Sequence, residues 1–121
     1  MLALSGDEKY LINGSDSSSL QIYKLDQPGE KPEIAKGHRG FVKDIKFLPD
    51  NSGFVSVGSD RTVRFTNHVT GQGRILTTLP YDLKSIDISS DGNFMAGVAA
   101  SGQLIMLNLN DNTYRDRKSV V

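Results

Sequence analysis

His38, Ser56 and Asp60 supply the side-chain types of a nucleophilic hydrolase: an imidazole to take a proton, a hydroxyl to attack, and a carboxylate to orient the ring. They stand 18 and 4 residues apart along the chain, so only tertiary structure can bring them together. Such chemistry also needs N–H donors for the developing oxyanion, and no Gly-x-Ser-x-Gly elbow is present. At this level a triad and a purely structural hydrogen-bonded group both stay open.

The other reactive types are sparse. His68 is the second of two histidines, and there are no cysteines, which removes disulfides, thiol catalysis and cysteinyl metal sites together. A zinc site would have to recruit carboxylates from scattered turns. Asp7-Glu8 and Asp111 lack calcium-loop spacing, so neither a metal nor a cofactor is expected. His68 falls in a turn and reads as an ordinary solvated residue. Asn13-Gly14-Ser15 fits a glycosylation pattern by chance, and Arg115-Asp-Arg-Lys118 is a short charge cluster. Lys+Arg and Asp+Glu both number 14, a balance that favours no polyanion, so nucleic acid is not an expected partner. No apolar run approaches the ~20 residues that span a bilayer, and no charged segment followed by an apolar stretch opens the chain. No membrane partner is expected, and the expected location is cytoplasmic.

The elements that would position these residues form a repeat. Leu2-Ala-Leu-Ser-Gly-Asp-Glu-Lys-Tyr-Leu-Ile-Asn-Gly14, Ile45-Lys-Phe-Leu-Pro-Asp-Asn-Ser-Gly-Phe-Val-Ser-Val-Gly58 and Ile86-Asp-Ile-Ser-Ser-Asp-Gly-Asn-Phe-Met-Ala-Gly97 share one plan. Each has an apolar-x-apolar strand end, a polar turn and a second apolar run. Leu4, Phe47 and Ile88 are equivalent at spacings of 43 and 41 residues, as are Tyr23, Thr66 and Leu107. A period of about 40–45 residues built from four short strands is that of a propeller blade. Strand a is expected at Leu2–Leu4, Val42–Phe47 and Leu83–Ile88, and strand b at Tyr10–Gly14, Phe54–Gly58 and Phe94–Val98. Strand c is expected at Leu20–Leu25, Val63–Asn67 and Leu104–Leu109, and strand d at Glu33–Lys36, Arg74–Leu79 and Thr113–Arg117. Asn51-Ser-Gly53 and Asp91-Gly92 fall where hairpins need positive φ, and Asp26–Gly29 and Thr70–Gly73 are equivalent later turns. No segment sustains a 3.6-residue apolar period, so no long helix is expected.

The middle repeat resembles the WD-repeat family. Gly37-His38 is similar to that family's Gly-His pair before strand a, and Phe47-Leu-Pro-Asp50 to its Phe-Ser-Pro-Asp turn. Ser56-Val-Gly-Ser-Asp60-Arg-Thr-Val-Arg-Phe65 resembles its Ser-Gly-Ser-x-Asp-x-Thr-Val-Arg-Leu stretch. The pattern covers essentially the whole chain, while its diagnostic residues occur in the middle repeat. The family's Trp-Asp pair is missing: Tyr23-Lys24, Thr66-Asn67 and Leu107-Asn108 stand there in a chain without tryptophan. The resemblance implies an all-β chain of three four-stranded antiparallel blades, about 1–36, 37–79 and 80–121, forming an incomplete ring. It implies that His38, Ser56 and Asp60 brace the middle blade without catalysis, with Thr66 where the family has Trp. The third blade carries Thr78 and Ser101 at the His and Asp positions.

A rigid, non-catalytic protein-interaction scaffold is the function this implies. The alternative is a sensor or regulatory segment of a larger, bacterial-type signalling protein. Arg39, Phe41, Arg61 and Tyr81 are the candidate partner-binding residues, because they fall in d–a and b–c connections that share one propeller face. Packing between blades is the competing reading for Phe41 and Tyr81. Three blades fall short of a ring, and two arrangements complete it: further blades from the same longer chain, or a head-to-tail homo-oligomer. In the second, Asp116–Val121 of one unit leads into Met1 of the next.

Overall fold

The computed structural model describes residues 2–14, 19–27, 29–36 and 38–118. Gly37 of the Gly-His pair, Ser15, Pro28, Met1 and Val121 therefore lie outside the described residues, and so does the junction of the two termini. Among the described residues there is no helix. Twelve strands run in order: β1 Leu2–Leu4, β2 Tyr10–Asn13, β3 Ser19–Lys24, β4 Glu33–Lys36, β5 Val42–Phe47, β6 Phe54–Gly58, β7 Thr62–Thr66, β8 Gly73–Thr78, β9 Leu83–Ile88, β10 Phe94–Ala99, β11 Gln103–Asn108 and β12 Tyr114–Lys118. Every boundary lies within one residue of its sequence expectation. They form three separate four-stranded antiparallel sheets, β1–β4, β5–β8 and β9–β12, each a simple meander. These are three blades, and they do not close into a ring.

The turns explain why the period is so regular. Glu8, Asn51 and Gly92 all have φ between 62° and 76° and sit at one position of the a–b turn in successive blades. Arg61 and Gly102 do the same in the b–c turn, and Gly71 and Asn112 in the c–d turn. A left-handed residue at a fixed place sets hairpin register, and register decides which side chains face which way. In the middle blade this residue is Asn51, not Gly53. Side chains close the same turns: Asp7 accepts the Ser5 hydroxyl at 2.6 Å and the Lys9 N–H at 3.0 Å. Asp91 accepts the Ser89 hydroxyl and the Asn93 N–H in the matching arrangement.

Alternation then divides each sheet into two faces. Ile12, Leu20, Ile22 and Ala35 of blade 1 pack on Val42, Ile45 and Phe54 of blade 2. Val55, Val57 and Val63 of blade 2 pack on Leu83, Ile86, Met95, Ala99, Ile105 and Leu107 of blade 3. Strand β6 is consequently buried at all five positions, Phe54 and Ser56 on one side and Val55 and Val57 on the other. One carboxylate stitches the second joint: Asp44 Oδ2 accepts the Ile86 backbone N–H at 2.8 Å. Burial of both faces makes β6 the most sensitive strand. Phe54→Ala should lower the unfolding free energy by ~3–5 kcal/mol, whereas Ile75→Ala, on an exposed part of β8, should change it by less than ~0.5 kcal/mol. Urea titration of the two variants checks this.

Candidate functional site

His38 enters from the loop before β5, Ser56 stands in the middle of β6, and Asp60 occupies the β6–β7 turn. The fold brings all three together. His38 Nε2 is 2.9 Å from Ser56 Oγ, and His38 Nδ1 is 2.9 Å from Asp60 Oδ1. Thr62 joins them, its hydroxyl 2.9 Å from His38 Nδ1 and donating to Asp60 Oδ1 at 2.8 Å. Asp60 also accepts the Arg39 backbone N–H at 2.9 Å and the Thr62 N–H at 3.2 Å. With the Thr62 proton committed to Asp60, the imidazole donates from Nδ1 and accepts the Ser56 proton at Nε2. Gly58 leaves room for the ring, since a Cβ there would lie 2.6 Å from His38 Cγ.

Burial and hydrogen bonding set the protonation states. Burial is the largest influence on His38 and lowers its pKa, overcoming the opposing pull of Asp60. Burial alone would raise Asp60, but the Arg39 N–H, the Thr62 hydroxyl and N–H, and His38 together hold it below the usual carboxylate value. A neutral imidazole facing a carboxylate is the result.

The atoms Ser56 Oγ, His38 and Asp60 have the connectivity of a catalytic triad, and access decides what they can do. Ser56 has no exposed surface and His38 is buried, so no carbonyl can reach the hydroxyl. The Ser56 backbone lies inside the β5–β6–β7 ladder, which leaves no free N–H pair for an oxyanion. Thr66, in the position where the family carries Trp, is fully buried, and its hydroxyl finds no partner among the described residues. Thr62 and Ser59 were missed by the sequence reading. Ser59 Oγ accepts the Phe41 N–H at 2.8 Å and its own N–H donates to the Phe41 carbonyl at 2.8 Å, tying the d–a loop to the b–c turn a second time. Their adjacency to Asp60 was the available signal.

Blade 3 builds the same joint without this chemistry. Counting back four residues from the start of strand a gives His38 in blade 2 and Leu79 in blade 3. Leu79, not Thr78, therefore takes the His position; it is buried in the core between blades 2 and 3, while Thr78 is exposed. Gly97 and Ser101 replace Ser56 and Asp60.

Two further residues differ from expectation. His68 is not solvated: it is 2% exposed and meets the rings of Tyr10 at 4.6 Å and Phe47 at 5.2 Å, both edge-on, between blades 1 and 2. Burial lowers its pKa, with Asp7 opposing. The aromatic pair that encloses it is contributed by different repeats, so spacing within one repeat gave no warning. Tyr81 is half-buried against the core between blades 2 and 3, and burial raises its pKa. Arg39, Phe41 and Arg61 stand outside, Phe41 with 60% of its surface exposed. Among the described residues no three His, Cys, Asp or Glu side chains converge.

Residues 30–67 match the family described as WD domain, G-beta repeat. Serine-threonine kinase receptor-associated protein of Mus musculus is 33% identical over 64 residues, 53% of this chain and 18% of that protein. Apoptotic protease-activating factor 1 of Homo sapiens is 31% identical over 108 residues, 82% of this chain and 8% of that protein. The tRNA (guanine-N(7)-)-methyltransferase non-catalytic subunit wuho of Drosophila mojavensis is 27% identical over 75 residues, 61% of this chain and 20% of that protein. The chain thus spans a fifth or less of the length of these relatives.

Asp60→Ala strands His38, Arg39 N–H and Thr62 together, so it should destabilise the fold by about 1–3 kcal/mol in urea titration. The histidines give a pH test with a definite sign. Both have folded-state pKa values below the ordinary 6.5, so the unfolded chain binds more protons as pH falls through that value. Their contribution should be complete above about pH 6.5 and be lost progressively below it, and His68→Phe should flatten the melting-temperature profile between about pH 6.5 and 5.

Proposed function

This chain belongs to the WD-repeat family, and from that premise we propose that its blades form a non-catalytic scaffold that docks an acidic protein segment on the loops above blade 2. The observation that carries the reading is the exchange between blades. The positions of His38, Ser56 and Asp60 are filled by Leu79, Gly97 and Ser101 in blade 3, where the sheet has the same four-stranded topology. A group that apolar packing can replace in a neighbouring repeat is a brace.

WD-repeat proteins are generally non-catalytic scaffolds, and two of the relatives have names in keeping with this. One is called receptor-associated and another a non-catalytic subunit. None of the three relatives above is bacterial, and nothing favours the sensor of a bacterial-type signalling protein. The brace itself touches the docking surface: Asp60 holds the Arg39 backbone and Ser59 holds Phe41. Arg61, in the same turn, has φ of 69°. Two cations and an exposed ring are thereby mounted on hydrogen-bonded loops, which suits an acidic segment with one apolar anchor. Tyr81 is left out of this surface, because it packs between blades.

A panel of fluorescent acidic peptides, each with one aromatic or aliphatic residue, tests the reading by anisotropy. A peptide that binds should lose at least about 10-fold in affinity, roughly 1.4 kcal/mol, on Phe41→Ala or Arg61→Ala, with the melting temperature unchanged. Binding insensitive to both substitutions, or no binding across the panel, contradicts this surface.

A further inference from the structure

The loop that carries Arg39 and Phe41 is held along its backbone by the β6–β7 turn. Phe41 commits both of its backbone groups to Ser59. Its N–H donates to Ser59 Oγ at 2.8 Å, and its carbonyl accepts the Ser59 N–H at 2.8 Å. Two residues earlier, the Arg39 N–H donates to Asp60 Oδ2 at 2.9 Å. Gly40 lies between these ties, and its lack of a side chain is what admits the Ser59 hydroxyl. A Cβ at Gly40 would collide with Ser59 Oγ, and would also meet Asp60 N at 3.2 Å and Ser59 Cβ at 3.3 Å. The φ of Gly40 is not left-handed, so this contact, and not backbone strain, excludes a side chain.

Blade 3 loses the parts of this latch in pairs. At the repeat spacing of 41 residues, Pro80 stands for Arg39, Tyr81 for Gly40, Ala100 for Ser59 and Ser101 for Asp60. Pro80 has no N–H to donate, and Ser101 has no carboxylate to receive one. Ala100 has no hydroxyl, and a full side chain, Tyr81, takes the position that is glycine in blade 2. Tyr81 packs against the core between blades 2 and 3. Glycine and hydroxyl go together: blade 2 has both and blade 3 has neither.

We propose that Ser59, seated in the space left by Gly40, is the residue that sets the selectivity of the docking surface for an apolar anchor. It is a positioning residue, acting through Phe41, and the inference rests on the docking reading given above. Phe41 is 60% exposed, and an exposed ring on a loose loop has to be ordered at the moment of binding. Fixing its backbone beforehand removes that cost from the complex. The gain falls on the part of the partner that meets the ring. Acidic side chains that meet the two cations depend on it less, since Arg39 is tied separately by Asp60 and Arg61 belongs to the turn itself.

Two fluorescein-labelled peptides test this: a run of glutamates interrupted by one leucine, and the same run with glycine in its place. Wild type should bind the leucine peptide more tightly. In Ser59→Ala the leucine-to-glycine affinity ratio should fall at least about 3-fold. The Phe41 amide should also exchange about 10-fold faster in the free chain. Gly40→Ala should lower the ratio to the same extent, because its methyl group displaces the Ser59 hydroxyl. Adding Gly40→Ala to Ser59→Ala should then lower it no further, the non-additivity expected of two residues that act as one unit. A ratio or a Phe41 exchange rate that Ser59→Ala leaves unchanged, or losses that add, overturns the proposal and leaves the docking reading standing. A wild-type chain that does not discriminate between the peptides sinks the docking reading, and this proposal with it.

Discussion

A four-stranded sheet has two faces, and apolar burial on one of them is not enough to hold it. The packing of sheet on sheet is the interaction on which the rest of this molecule depends. Blade 2 is covered on both sides: Phe54 meets blade 1, while Val55 and Val57 meet blade 3. Each neighbour has one covered face. An isolated meander of this size would bury too little apolar surface to offset the entropy of ordering its chain, so the repeat makes sense as a stack and not as three independent units.

That constraint explains what varies and what stays fixed. Register must be the same in every blade, or the apolar set would turn to the wrong side, and the left-handed turn residues recur accordingly at Glu8, Asn51 and Gly92. The side chains that fill the joint are free to change chemistry. Blade 2 fastens its d–a loop with His38, Ser56, Asp60 and Thr62; blade 3 uses Leu79 and Leu83 packed near Gly97 and Ile105. A buried polar group of this kind is favourable only when its members are satisfied. His38 and Asp60 are satisfied, whereas the buried hydroxyl of Thr66 has no partner among the described residues.

The strands and the blade plan were legible because their causes are local and repeat: alternation along a strand, turn residues at fixed offsets, and a period visible in equivalent residues such as Leu4, Phe47 and Ile88. The meeting of His38 with Ser56 and Asp60 was legible through the family pattern, and its Thr62 and Ser59 members were not. What stayed hidden depends on contacts between repeats. His68 looked like a turn residue on its own, and its burial comes from Tyr10 of one blade and Phe47 of the next. Leu79 was overlooked at the His position for a related reason. Blade 3 keeps the geometry and abandons the polar chemistry that marks it in sequence.

The central claim is that stability here is a property of blade-on-blade contact, with blade 2 the best held. Amide hydrogen exchange, read strand by strand, tests it most directly. The amides of β6 should exchange more slowly than those of the cognate strands β2 and β10, which have one covered face each. Protection in β2 or β10 equal to or greater than that of β6 would contradict the account.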